Sequence, residues 1–259
     1  MPYVLTLFGK ELPIYGICFY IGIVLASAVA LVVAKKRDLP KWEIVYAGIF
    51  AMIGAMIGAK VLFIIISIDD IIRLQLSPEA VIKGGFVFYG GLLGGFGGLM
   101  LYVRLYKLPA IDYLDICATV LPLGHAVGRV GCFFGGCCYG IPYDGPGCVV
   151  YEETVGMTPL GVPLLPIQLI EGATLLVLFG LLMYVLYRKE SRGLPVWVYC
   201  LSYSVIRFVL EYFRGDGIRG KFLWLSTSQW ISILIIIVSV VGIFLRKRSS
   251  AVNANVSGD

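Results

Sequence analysis

The feature that most constrains this chain is its succession of long apolar runs. Seven segments, at about 14–34, 44–67, 86–106, 111–131, 167–187, 194–213 and 229–245, are each near the roughly 20 residues that cross a bilayer as a helix. Of the 259 residues 59% are hydrophobic and 14% charged, and the mean hydropathy is +0.91. A soluble domain of that length cannot hide so much apolar surface. The expectation is an all-α polytopic membrane protein with about seven transmembrane helices. It would form one integral-membrane domain over 1–248, followed by a polar cytoplasmic tail at 249–259. The first run is too long for a signal-peptide core, and its positive charges follow it, so it reads as a retained span.

The net charge of +5 does not point to nucleic acid, because the cations cluster at the ends of the runs and report topology instead. With the N-terminus outside, the inner segments hold twelve cations: Lys35, Lys36, Arg37, Lys41, Arg104, Lys107, Arg188, Lys189, Arg192, Arg246, Lys247 and Arg248. The outer segments hold six, namely Lys10, Arg73, Lys83, Arg214, Arg219 and Lys221. An N-out, C-in arrangement follows from this excess. The longest loop, about 132–166, is rich in Gly, Pro and Cys and then faces outside, where a small cap would sit.

Polar groups inside spans cost roughly 2.5–3.5 kcal/mol each on insertion scales and are functional suspects. On this topology they share one depth. Lys60 lies about seven residues, or ~10 Å of helix, from the outer end of span two. Tyr15 opens span one, Tyr89 begins span three and Arg129 ends span four, all outside. Span five opens there with Gln168 and Glu171, and span six delivers Tyr203, Arg207, Glu211 and Arg214. Those last four are separated by four, four and three residues and are expected on one helical face. An Arg207–Glu211 pair that only neutralises itself is one reading. The other is a polar stripe in which Arg129, Arg207 and Arg214 bind a phosphate, for which the planar guanidinium is suited. Span three begins GGFVFYGGLLGGFGGLM, with eight glycines. Tight helix packing accounts for most of them, while Gly90 and Gly91 would also leave room for a substrate chain.

The stretch GHAVGRVGCFFGGCCYG at 124–140 carries the only histidine, His125, and three of the seven cysteines. Cys132, Cys137, Cys138 and Cys148 are spaced by five, one and ten, which is not a zinc-finger or ribbon pattern. Disulfides bracing the outer loop, small apolar packing, an enzymatic thiol and a metal all stay open. No metal ligand set is assigned.

These residues resemble the bacterial prolipoprotein diacylglyceryl transferase family. The resemblance runs through PIYGICFYIG, IGAKVLF, FYGGLLGG, GHAVGRVGCFFGGCCYG, PIQLIEG, YSVIRFVLEYFR and STSQW, in order over most of the chain. It implies transfer of the diacylglyceryl group from phosphatidylglycerol to the lipobox cysteine of an exported prolipoprotein, with release of glycerol phosphate and no cofactor. It also implies a bacterial cytoplasmic (inner) membrane location, a membrane-embedded site toward the outer leaflet and no nucleic-acid partner. On it, Arg129, Arg207 and Tyr89 are the catalytic candidates. Tyr15, Lys60, Gly90, Gly91, Gln168, Glu171, Tyr203, Glu211 and Arg214 are the substrate-binding ones.

Two departures stand out. Tyr89 takes the place of a histidine in the family's His-Gly-Gly, and a phenol is a poor base at neutral pH; His125, one turn from Arg129, is a candidate substitute. Cys132 stands where many members have asparagine. Competing readings are a transporter or flippase for an anionic lipid or metabolite, and a non-catalytic membrane thiol or metal protein on the same scaffold.

Overall fold

The computed structural model describes residues 4–7, 10–75, 77–154, 156–188, 191–216 and 221–256. Lys189 and Arg219, which entered the charge count, lie outside them. Nine α-helices occur among the described residues: α1 Ile14–Lys36, α2 Lys41–Ile66, α3 Ile68–Arg73, α4 Pro78–Lys83, α5 Phe88–Leu105, α6 Ala110–Gly135, α7 Ile167–Tyr187, α8 Leu194–Leu210 and α9 Thr227–Val256. Three two-stranded antiparallel pairs accompany them: β1 Val4–Leu7 with β2 Lys10–Pro13, β3 Val149–Val150 with β4 Pro163–Leu164, and β5 Lys221–Phe222 with β6 Leu225–Ser226.

Among the described residues six helical segments are long and apolar enough to cross a membrane: Ile14–Lys36, Lys41–Ile66, Ala110–Gly135, Ile167–Tyr187, Leu194–Phe213 and Thr227–Lys247. The all-α polytopic architecture is therefore present. The expected third span is α5, a helix of 18 residues, but its six glycines and Arg104 dilute its apolarity. The last helix runs past the expected boundary at 245 to Val256, because RKRSSAVNANV contains no helix breaker.

The chain divides into two compact units, Leu31–Tyr113, and Met1–Ala30 with Leu114–Asp259. In the first, α2 and α5 run antiparallel and touch through backbone. A Cβ at Gly58 would meet the Gly90 carbonyl oxygen, and one at Gly54 would meet that of Gly94, so no side chain fits between the helices. At the far end of the pair the buried Tyr102 hydroxyl donates to Glu43 Oε2 at 2.5 Å. The outward face of α2, with Ile53, Met56, Ile57 and Ile65, is left exposed as a lipid-facing surface would be.

In the second unit α7 buries Leu175, Leu178 and Leu182, and α8 packs against both α7 and α9. Asp115, fully buried in α6, accepts the backbone N–H of Gly193 at 2.6 Å and so fixes the left-handed turn that starts α8. The cap expected over 132–166 exists but begins later, since α6 continues to Gly135. It is a set of short β contacts. β3 pairs with β4, Pro142 bridges to Leu164, and Gly140 bridges to Arg214.

Candidate active site

The site is assembled where α6 ends, α7 begins and α8 gives way to the cap. Arg129 lies in the last two turns of α6, and its Nη2 contacts Glu171 Oε1, on α7, at 2.9 Å. Its Nε donates to Nε2 of His125, one turn earlier, at 3.2 Å. Tyr203 on α8 packs its ring edge-on against His125, with centroids 5.5 Å apart. His125 thereby serves as an acceptor that orients Arg129, and the ring nitrogen lone pair a base would use is taken.

Each of the three arginines has a carboxylate of its own. Arg207 contacts Glu211 at 2.5 Å across one helical turn and donates to Ser228 Oγ at 3.4 Å. Arg214 grips Asp216 with both edges of its fork, Nε to Oδ1 at 2.8 Å and Nη2 to Oδ2 at 2.6 Å. Glu171, 1% exposed, lies between Arg129 and the more distant Arg214, whose Nη1 is 3.8 Å away. Burial works against the charge on Arg214, but the Asp216 hydrogen bonds and the nearby Cys138 outweigh it and hold the guanidinium protonated. Three cations facing three carboxylates make the site close to neutral, with its groups pre-aligned. Removing one member of such a buried pair strands the other, at a cost of about 3–5 kcal/mol.

The expected single stripe on span six is only partly realised. Tyr203, Arg207 and the start of Glu211 follow the helix, but α8 ends at Leu210 and residues Glu211–Phe213 tighten into a 3₁₀ turn. Arg214 then leaves the helical face altogether. Its segment is extended and pairs with the cap, Ile141 N–H donating to Phe213 O and Gly215 N–H to Tyr139 O, both at 3.0 Å. That pairing carries Arg214 to the cysteine segment.

The cysteines meet because of how α6 stops. Gly136 adopts φ +61°, a left-handed conformation, and a Cβ there would strike Thr154. Its N–H bonds Phe133 O at 3.3 Å, while Cys137 N–H bonds Cys132 O at 3.1 Å. This is the Schellman end of a helix, which lays the residue after the glycine over the last full turn. Cys137 comes back onto Cys132, and Cys138, itself at φ +57°, turns in beside them. The three sulfurs lie within 4.8 Å of one another. Hydrogen bonds from Cys132 and Cys137, then the guanidiniums of Arg214 and Arg129, hold the Cys138 thiol below the usual range. Cys137 is lowered by its bond with Cys132, but its bond with Cys138 and burial prevail and push it up to about 11. No disulfide joins any of these cysteines in the described residues.

Buried hydrogen bonds brace the segment. Gln168 Nε2 donates to Cys137 O at 2.9 Å, Tyr151 O–H donates to Phe133 O at 2.9 Å, and Thr158 donates to Gly136 O. Burial pushes the Tyr151 phenol up to about 12. Gln168, expected to touch substrate, thus holds the cysteine turn. Tyr15, at the start of α1, sits against the end of α6: a Cβ on Gly131 would come within 3.2 Å of its Cα. It is half exposed and within electrostatic reach of Arg129 and the three thiols.

The remaining candidates belong to the unit Leu31–Tyr113. Lys60 Nζ donates to the carbonyls of Val81, Gly84 and Gly85 at 3.1, 3.0 and 3.3 Å, and lies 4.4 Å from the Phe86 ring centroid. All three ammonium protons therefore serve the C-terminus of α4. Gly90 is buried against Gly58 and Leu62, whereas Gly91 is looser, with Ala59 Cβ 3.5 Å from where its own would be. Tyr89 is 37% exposed in the first turn of α5, beside Phe88.

Sequence reasoning missed Asp216, Ser228, Asp115 and the convergence of the thiols. The signal for the last was present: a helix ending in CFFGGCC has cysteine at the two positions that a Schellman turn brings into contact.

A sequence profile of the family described as prolipoprotein diacylglyceryl transferase matches residues 2–245. A phosphatidylglycerol–prolipoprotein diacylglyceryl transferase of Clostridium tetani is 32% identical over 241 residues, covering 92% of this chain and 95% of that one. The enzyme numbered 2 in Clostridium perfringens is 29% identical, with 91% of each chain covered. One from Streptococcus mutans is 27% identical, with 92% of each covered. A match of that extent, on six apolar helices with Arg129 in the GR-x-G segment, makes this chain a member of the prolipoprotein diacylglyceryl transferase family.

Proposed function

We propose that this protein transfers the diacylglyceryl group of phosphatidylglycerol to the lipobox cysteine of exported prolipoproteins and releases glycerol phosphate. It works as a multi-pass protein of the bacterial inner membrane, N-terminus outside and C-terminus inside, with its site toward the outer leaflet. The observation that carries this reading is Arg129, buried at the end of α6 and oriented by Glu171 and His125. An arginine has five N–H donors, more than one carboxylate accepts, so Arg129 and Arg207 keep donors for a phosphate while staying aligned.

The reaction is a substitution at the C3 carbon of the glyceryl group. The acceptor sulfur, as thiolate, forms the S–C bond while the C–O bond to phosphate breaks. The electron pair departs on glycerol phosphate. Negative charge on the leaving group grows beside Arg129 and Arg207, and donors already in place stabilise it without reorganisation. Tyr89 is assigned a hydrogen bond to the headgroup.

Incubating the purified protein with phosphatidylglycerol and a lipobox peptide, then weighing the peptide by mass spectrometry, tests this directly. The expected result is a diacylglyceryl-sized mass gain that disappears in Arg129→Ala and Arg207→Ala. A folded wild-type protein that leaves the peptide unchanged would overturn it.

A further inference from the structure

The thiols of Cys132, Cys137 and Cys138 are not needed to hold a phosphate, yet the Schellman stop of α6 brings them together. We propose that these three cysteines bind one zinc ion, whose fourth position is open to the thiol of the polypeptide acceptor. The role given to the ion rests on the transferase reading above; the ion site itself does not.

Geometry favours a metal over chance crowding. Zinc–thiolate bonds of about 2.3 Å in a tetrahedral site place sulfurs about 3.8 Å apart. The three sulfurs already lie within 4.8 Å of each other, so small side-chain rotations close the difference. Among the described residues no fourth His, Cys, Asp or Glu joins the group. Three protein ligands and one open position are the pattern of catalytic rather than structural zinc.

Charge is consistent as well. A bare cation would be repelled by Arg129 and Arg214, but zinc with three thiolates carries a net charge of −1, which those guanidiniums favour. The supports also fit: Gln168 fixes the Cys137 carbonyl, and Thr154 donates to the carbonyls of Gly135 and Gly136, both at 3.1 Å, so the turn that aims the sulfurs is held from behind.

The chemistry follows without redox. The acceptor thiol binds zinc through sulfur, and its proton passes to water. The zinc-bound thiolate then attacks the glyceryl C3 carbon, the C–O bond breaks, and glycerol phosphate leaves with the electron pair. The product thioether is neutral and a weaker ligand, so it departs and the position reopens. Such a site supplies the deprotonated nucleophile that Tyr89, in the place of the family's histidine, is poorly suited to generate.

The test uses the full chain in detergent, reduced and stripped of metal, titrated with zinc and separately with cobalt(II), whose thiolate charge-transfer absorption reports sulfur ligation. One equivalent of zinc per chain is expected. Each of Cys132→Ser, Cys137→Ser and Cys138→Ser should weaken binding by at least about a hundredfold. Cys148→Ser, outside the cluster, should leave it unchanged, and Cys138→His, which restores a donor, should recover part of it. In the transfer assay, metal-free protein should lose at least about tenfold in rate and regain it with zinc. Absence of stoichiometric zinc, wild-type affinity in any of the three serine variants, or a disulfide among these cysteines in active protein would overturn the site. Full transfer without metal would overturn the role of the ion and leave the transferase reading intact. Zinc held by the three thiols with no transfer would overturn the transferase reading, and the acceptor role with it, while the ion site stands.

Discussion

Each of the two units of this protein has its own kind of internal contact. In Leu31–Tyr113, α2 and α5 meet where side chains are missing, with Gly54 and Gly58 against Gly94 and Gly90. In the other unit, the end of α6 and the start of α7 meet where side chains are charged, through Arg129–Glu171. The segment after α8 brings Arg214 within 3.8 Å of the same carboxylate, while Arg207–Glu211 and Arg214–Asp216 pair locally. Packing of small residues tolerates no added volume but is indifferent to pH and charge. A set of buried ion pairs is sensitive to every member and adds little net stability, so its retention calls for a functional reason. The contrast separates a structural frame from a reactive centre by physics alone.

Substitutions that break each region in its own way sharpen the contrast. The largest effect is expected for Arg129→Ala, a fall in transfer rate of about 10²–10³-fold in the peptide assay. Arg129→Lys should recover little of this, since an ammonium cannot reach Glu171 and a phosphate with one planar fork. Gly94→Leu should strike the other unit instead, lowering stability by about 1–3 kcal/mol or more through overpacking. Loss of the thermal unfolding midpoint in detergent would register it. Gly136→Ala combines both kinds of damage. The left-handed backbone and the Thr154 contact should cost about 1–2 kcal/mol, and transfer should fall with the disordering of the cysteine turn.

Smaller effects test residues that sequence reasoning placed in the site. Lys60→Met should lower stability by about 1 kcal/mol, from the lost bonds to α4 carbonyls, while transfer changes less than about threefold. A large loss of transfer at normal stability would return Lys60 to the substrate. For Tyr89→Phe stability should hold and the fall in transfer should stay under about tenfold, the weight of one hydrogen bond to the headgroup. A loss approaching that of Arg129→Ala would make the phenol a proton-transfer group.

Much of the frame was legible because it obeys local periodicities. Apolar run length located the helices, Arg207 and Glu211 announced their pairing by a spacing of four, and the glycine doublets of α5 announced close packing. What escaped depends on contacts between segments distant in the chain. No spacing tells that Glu171 takes Arg129, 42 positions earlier, as its partner, or that Asp115 holds Gly193. The helical face drawn through Arg214 failed because backbone bonds from the cap at Gly140 compete with the last turn of α8. For Lys60, depth in the membrane was informative, but the nearest acceptors turned out to be the carbonyls at the end of a short neighbouring helix.

The glycine contact between α2 and α5 leaves an asymmetry in how this protein can change. At Gly54, Gly58, Gly90 and Gly94 nothing remains to be trimmed, so mutation there can only add atoms, and every addition pushes two backbones apart. Neither helix has side-chain rotamers to freeze there on association. Variation in the pair is therefore channelled to the outward faces of the helices, where Ile53, Met56 and Leu93 are exposed and one apolar residue can replace another.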